Sequence, residues 1–222
     1  MNSLLPMIAR SLVAVATVFV AAASAQAQGV VGSAENGQKK ADMCIGCHGI
    51  PGYQNSFPEI HKVPMISGQS GEYIVSALTA YKKGDRKHPS MRGIAGSLTE
   101  QDMADLAAFY SSQATKTAPE TAKTADVNVA ALLEKGACAS CHGANLSKPT
   151  APGYPKIAGQ HADYLFVALK SYTVEGNAYI GRNNAIMGGI AKQFSHAEMR
   201  ELAKYLSTLD GELAVVPQAR FR

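Results

Sequence analysis

No cysteine in this chain is spare. The 222 residues contain four, and all four lie in two C-x-x-C-H motifs: Cys44 and Cys47 followed by His48, and Cys138 and Cys141 followed by His142. Nothing is left over to staple the fold with a separate disulfide, even in a compartment where disulfides persist. No alternation of apolar and polar residues at a period of two competes with helical spacing, so an all-α fold is expected. Beyond the N-terminal leader no segment is apolar and long enough to span a bilayer. The formal net charge is a mild +4, and no basic tail with interleaved aromatics supplies a footprint for nucleic acid, so no nucleic-acid partner is expected.

The leader itself reads "MNSLLPMIARSLVAVATVFVAAASAQAQG". Arg10 precedes an apolar run over residues 11–23, and Ala25 and Ala27 occupy the small-residue positions of a cleavage site. That layout predicts a secretory signal peptide of residues 1–27 and a mature chain exported to the periplasm. An uncleaved membrane anchor is the alternative reading of the leader, and peripheral membrane association is a separate expectation for the exported chain.

The rest of the chain repeats itself. "PMISGQSGEYIVSALTAY" (64–81) matches "PKIAGQHADYLFVALKSY" (155–172) at an offset of 91, and "RKHPSMRGIA" (86–95) matches "RNNAIMGGIA" (182–191) at an offset of 96. Two units of about 90 residues follow, near the lower end of domain size. Their expected bounds are 28–114 and 127–222, with a Thr-, Ala- and Lys-rich linker over 115–126.

Each unit reads as three helices. The first covers 34–43, or 129–137, and delivers C-x-x-C-H at its end. The second begins after Ser70, with Tyr73, Ile74, Ala77, Leu78 and Tyr81 on one face; Tyr164, Leu165, Ala168, Leu169 and Tyr172 repeat that face. The third opens on Thr99 with Asp102, or Ser195 with Glu198, in a capping-box arrangement. Three helices are little core for such a length, and the long connections suit a large apolar group for the loops to wrap.

Two cysteine pairs closing one zinc site would leave both histidines without a role. A thioredoxin-like dithiol would need a strand-helix-strand frame, and none surrounds either motif. C-x-x-C-H signals covalent attachment of haem c: two thiols near a helix end bond one porphyrin, and the following histidine is carried to the iron. Two haems are therefore expected, held by Cys44, Cys47, Cys138 and Cys141, with His48 and His142 as iron ligands.

A sixth ligand must come from elsewhere. Met91 lies 43 residues after His48 and Met187 lies 45 after His142, both in the expected loop before the last helix. Met65 is set aside because its repeat partner is Lys156, and Met103 and Met199 read as core. His61, His88, His161 and His196 read as surface or loop residues, with His61 the one to watch because its loop is longer than the equivalent one. Arg86 and Arg182 each stand five residues before the methionine, placed either to hold a haem propionate or to remain in solvent. A backbone carbonyl near Pro64 or Pro155 is a candidate partner for the other ring nitrogen of each histidine. Lys82, Lys83, Arg86, Lys87 and Arg92 form either a patch that steers an acidic partner or a solvated loop.

With these motifs, and with the P-x-I-x-G-Q and M-x-G-I-A segments, the chain resembles the dihaem cytochrome c4 family over nearly all of the mature sequence. The resemblance implies two tandem class I cytochrome c domains related by a pseudo-twofold axis, each haem held by histidine and methionine. It implies a periplasmic electron carrier rather than an enzyme, working between partners such as a quinol-oxidising complex and a terminal oxidase. The chain departs in "IPGYQNSFPEIHKV", which is longer than its counterpart. A cytochrome subunit of a flavin-containing sulfide dehydrogenase, or a dihaem peroxidase-like enzyme, is the alternative.

Overall fold

A computed structural model describes residues 30–217; the expected signal peptide lies outside them. Among the described residues the chain is helical, with four two-residue strands as its only sheet structure. The first unit comprises α1 (Ala34–Lys40), α2 (Asp42–His48), β1 (Gln54–Asn55), β2 (His61–Lys62), α3 (Gly71–Lys83), β3 (Arg86–Lys87), α4 (Pro89–Ser97) and α5 (Glu100–Ser111). The second comprises α6 (Val127–Lys135), α7 (Cys138–His142), α8 (Ala162–Ser171), β4 (Gly181–Arg182), α9 (Ala185–Ala191) and α10 (His196–Ser207).

Five helices per unit replace the three expected. The first helix breaks at Ala41, and its twin ends at Gly136 before Ala137 takes a φ of 46°, so each cysteine motif sits on its own short helix. The segments holding Met91 and Met187 are helices, not loops. In α4 the fixed φ of Pro89 suits the first helical position. In α9 the Asn184 side chain accepts from Met187 N–H and caps the helix. Glycines in both segments dilute the helical pattern, which is why the sequence reads as loop. The capping boxes at Thr99–Asp102 and Ser195–Glu198 are both formed.

Each unit has its own core. In the first, Leu106, Met103, Ala107 and Phe109 of α5 pack against Ile45 and Ile74; in the second, Leu202, Met199 and Leu206 of α10 pack against Leu132, Leu165 and Phe166. Helices α1 and α5 cross closely at Gly37, where a β-carbon would lie 2.0 Å from the Asp105 carbonyl oxygen. The Asp105 side chain is 1 % exposed, and it accepts from Lys40 at 2.6 Å, from Ser33 N–H at 2.8 Å and from Gln101 at 2.9 Å. Lys40 first, and then the Ser33 N–H, hold its carboxyl below the usual range. The same lysine pairs with Asp102 at 2.7 Å. Residues 115–126 ride on the second unit, where Asn145 Nδ2 donates to the Pro119 carbonyl at 2.7 Å and Tyr205 donates to the Lys123 carbonyl.

The units join by reciprocal contacts. Gln69 Oε1 accepts from Lys156 N–H at 2.8 Å while its Nε2 donates to the Lys156 carbonyl at 3.0 Å. Its repeat partner Gln160 does the same to Met65, accepting at 3.0 Å and donating at 2.9 Å. Since Met65 and Lys156 are also repeat partners, residue i meets j and j meets i, the signature of an interface with two-fold character. Arg86 lies opposite Arg182 in the β3–β4 ladder, each facing its own equivalent. The longer first-unit loop straps across onto α8: Glu59 pairs with Lys170 at 2.5 Å, and Lys62 N–H donates to Asp163 at 3.0 Å. From the other side, the C-terminal segment reaches back, and Ala214 N–H donates to the Ser67 carbonyl at 3.0 Å.

Gly37→Ala is expected to lower the stability of the haem-loaded protein by about 1–3 kcal/mol, because α1 and α5 must separate; chemical denaturation measures it. Gln69→Ala and Gln160→Ala are each expected to cost about 1–3 kcal/mol in the same assay, by leaving a buried N–H and carbonyl unpaired across the interface. Effects that differ several-fold between the two would contradict the two-fold reading of this interface.

Candidate functional site

The two units line a cavity of about 610 Å³. Cys44, Cys47, His48 and Met91 lie on it, and so do Cys138, Cys141, His142 and Met187. Apolar walls come from Ile66, Ile74 and Leu106 in one unit and from Leu165, Phe194 and Leu202 in the other. None of the four cysteines forms a disulfide. Burial pushes the Cys44 and Cys138 thiols above their ordinary range.

Each histidine is oriented from behind. His48 Nδ1–H donates to the Pro64 carbonyl and His142 Nδ1–H to the Pro155 carbonyl, both at 2.8 Å. That fixes the ring and leaves the lone pair on Nε2. Burial lowers the affinity of both imidazoles for a proton, so each is held neutral, as a metal ligand must be. The carbonyl that orients each histidine is thus the proline's own, in both units.

Arg86 and Arg182 are brought together. Arg86 donates from Nη2 to the Tyr164 hydroxyl at 2.7 Å and from Nη1 to the Tyr73 hydroxyl at 3.2 Å. Arg182 donates from Nη2 to the same Tyr164 at 3.1 Å. The guanidinium of Arg86 also lies 4.6 Å from the Tyr81 ring centre, and that of Arg182 lies 5.2 Å from the Tyr172 ring centre. Among the described residues neither arginine pairs with a carboxylate, and Arg86 Nε is buried without a partner. Burial opposes ionisation of Tyr164, yet the two guanidinium groups bring its phenol down to about 8. Two like charges in one low-dielectric place call for anions.

These residues fit haem. The cavity offers paired thiols for attachment, a neutral imidazole beside each pair, a thioether in each unit, and cationic groups that lack the acid functions a haem carries as propionates. The placement corrects part of the expected steering patch. Arg86 faces inward with the tyrosines, Lys82 Nζ donates to the Leu98 carbonyl, and Lys87 Nζ is drawn to the Asn177 carbonyl of the other unit. Of that run, Lys83 and Arg92 remain exposed to solvent.

His61 is not a surface residue either. It is 5 % exposed, its Nδ1–H donates to the Glu59 carbonyl at 2.7 Å, and its ring lies 6.3 Å from that of Tyr164. Sequence reasoning missed it and the tyrosines Tyr73, Tyr81, Tyr164 and Tyr172 as members of the site. The tyrosines read as a helix face, and the signal that separates them is their matched pairing with the two arginines.

The Cytochrome c family model matches residues 34–114 and again 127–210. Cytochrome c4 of Stutzerimonas stutzeri is 32% identical over 193 residues, covering 80% of this chain and 90% of that protein. The crystal structure of reduced recombinant cytochrome c4 from Pseudomonas stutzeri superimposes with a TM-score of 0.60 at 29% identity, covering 81% of this chain and all of that one. A thiosulfate dehydrogenase electron acceptor of Thiomonas intermedia is 41% identical over 90 residues, covering 40% of this chain and 39% of that protein.

Proposed function

The chain belongs to the cytochrome c family, and within it to the dihaem cytochrome c4 group, and from that premise we propose that it carries single electrons between periplasmic redox proteins through two His/Met-ligated haems. It is a dihaem electron carrier, with haem c bound covalently to Cys44 and Cys47 and to Cys138 and Cys141. The finer reading rests above all on one observation: in both units a neutral, carbonyl-held histidine and a methionine at matched repeat positions line the same cavity.

Haem, when bound, supplies an iron that gains or loses one electron. The chain does the rest. His48 and His142 present Nε2, held by the proline carbonyls. Met91 and Met187 offer thioether sulfurs from α4 and α9, which raises the potential relative to a second histidine. A ligand set that stays in place through the redox change keeps reorganisation small. Apolar walls exclude water and further favour the less charged, reduced form. Arg86 and Arg182, buried at the unit boundary without a carboxylate partner among the described residues, would supply the cationic hydrogen-bond donors for haem propionates.

Export fits this reading, because thioether attachment of haem to C-x-x-C-H is completed outside the bacterial cytoplasm. Among the described residues no helix is long and apolar enough to cross a membrane. A quinol-oxidising complex as donor and a terminal oxidase as acceptor are the expected partners. The likeness to a thiosulfate dehydrogenase electron acceptor favours a second donor, a dehydrogenase acting on an inorganic sulfur compound. Mixing the oxidised protein with each donor under stopped flow distinguishes them: the physiological donor reduces it in a salt-dependent second-order step.

The denatured protein is expected to react with no thiol reagent, and its pyridine haemochrome to give two haems per chain. Replacing Cys138 and Cys141 together by Ser should reduce that to one, since each unit carries its own attachment motif. Met91→Ala should abolish the weak long-wavelength methionine-to-iron band of one haem, leave that of the other, and make the altered ferrous site bind CO. A wild-type protein without the band at either haem would overturn the His/Met reading.

A further inference from the structure

Tyr110 and Leu206 hold the same place in the two units. The Tyr110 carbonyl accepts from Gly68 N–H at 2.8 Å, and the Leu206 carbonyl accepts from Gly159 N–H at 2.9 Å. Each side chain lines the cavity. Each belongs to the core against which the first cysteine of its own motif packs, Cys44 in one unit and Cys138 in the other. Backbone and surroundings are thus matched, and the side-chain chemistry is not.

Tyr110 is 4 % exposed, so water does not reach its hydroxyl, and that oxygen has no hydrogen-bond partner. Its ring is packed edge-on against Phe109 at 5.1 Å. Burial, with the Cys44 sulfur beside it, keeps the phenol far above its ordinary range, so it remains a donor at any working pH. Buried hydroxyls are seldom left unpaired. The acceptor within the site is sulfur, a weak one but unopposed.

Resting on the reading of this cavity as the haem site, we propose that Tyr110 sets the redox inequivalence of the two haems by donating a hydrogen bond to the sulfur through which Cys44 holds the first ring. A donor at that edge draws electron density from the ring and favours the reduced state, whereas Leu206 leaves the second ring without one. Hydrogen bonding around the cofactor is among the levers by which a protein sets haem potential. Between two sites with the same attachment and ligand residue types, this hydrogen bond raises the electron affinity of the first over what it would be with leucine at position 110.

The test is a spectroelectrochemical titration of the haem-loaded protein carrying Tyr110→Phe, which removes one oxygen and keeps the ring. One of the two one-electron steps should move toward harder reduction, lowering the preference for that haem on the order of three- to tenfold, the scale of one hydrogen bond. The other step should stay in place. Tyr110→Leu, which copies the second unit, should move the same step in the same direction. Intact two-haem absorption with both steps unmoved, or with both moving together, overturns the role of Tyr110 and leaves the haem reading standing. A wild-type chain with no haem on its cysteines overturns both.

Discussion

The structure turns on how residues 64–69 and 155–160 are pinned, because each short segment answers to the site and to the interface at once. The Pro64 carbonyl holds His48, the backbone of Met65 pairs with Gln160, Gly68 N–H binds the end of α5, and Gln69 reaches Lys156 in the other unit. The repeat does the same with Pro155, Lys156, Gly159 and Gln160. Gly68 adopts a φ of 81°, and a β-carbon there would lie 2.3 Å from the Glu212 carbonyl oxygen, so only glycine suits the position. The histidine of each C-x-x-C-H motif is therefore oriented by a stretch of chain whose neighbour is fixed by the opposite unit. Ligand geometry and domain pairing are one constraint, not two.

The duplication is faithful where that constraint acts and loose elsewhere. The prolines, glycines, glutamines, arginines and tyrosines recur at matched places. Asp105, buried under three hydrogen bonds, faces the first unit's close helix crossing, while the equivalent Glu201 is exposed. Lys156 pairs with Glu212 and also donates to the Gly68 carbonyl at 2.7 Å, whereas its partner Met65 makes no such ion pair. The longer first-unit loop puts His61 against Tyr164 and Glu59 against Lys170, so the second unit's arginine-tyrosine cluster is covered by the first unit's insertion. The asymmetry lies at the boundary and at Tyr110, which is where two copies of one domain acquire different surroundings.

Much of this was legible in the chain. Thr99 with Asp102, and Ser195 with Glu198, announce helix starts through contacts within one turn. The tyrosine faces of α3 and α8 follow from spacing alone. The helices around Met91 and Met187 were not legible, because their glycines lower intrinsic propensity and their support comes from Pro89, from the Asn184 cap and from packing on the rest of the unit. Arg86 looked like one member of a basic surface run. Nothing local distinguishes it from Lys82 or Lys83, and its inward course depends on Tyr164, 78 residues away in sequence.

The sequence by itself determined the duplication, the four attachment sulfurs, the two histidines and the two matched methionines, because each is a matter of residue type and spacing within one unit. Tertiary structure alone decided which carbonyl holds each histidine, that two arginines share one tyrosine with no carboxylate paired to either among the described residues, and that Tyr110 lies beside Cys44 where the second unit has Leu206. These depend on bringing together segments far apart in the chain. The free energy that selects such contacts belongs to burial and pairing across the fold, and leaves no periodic trace in the order of residues.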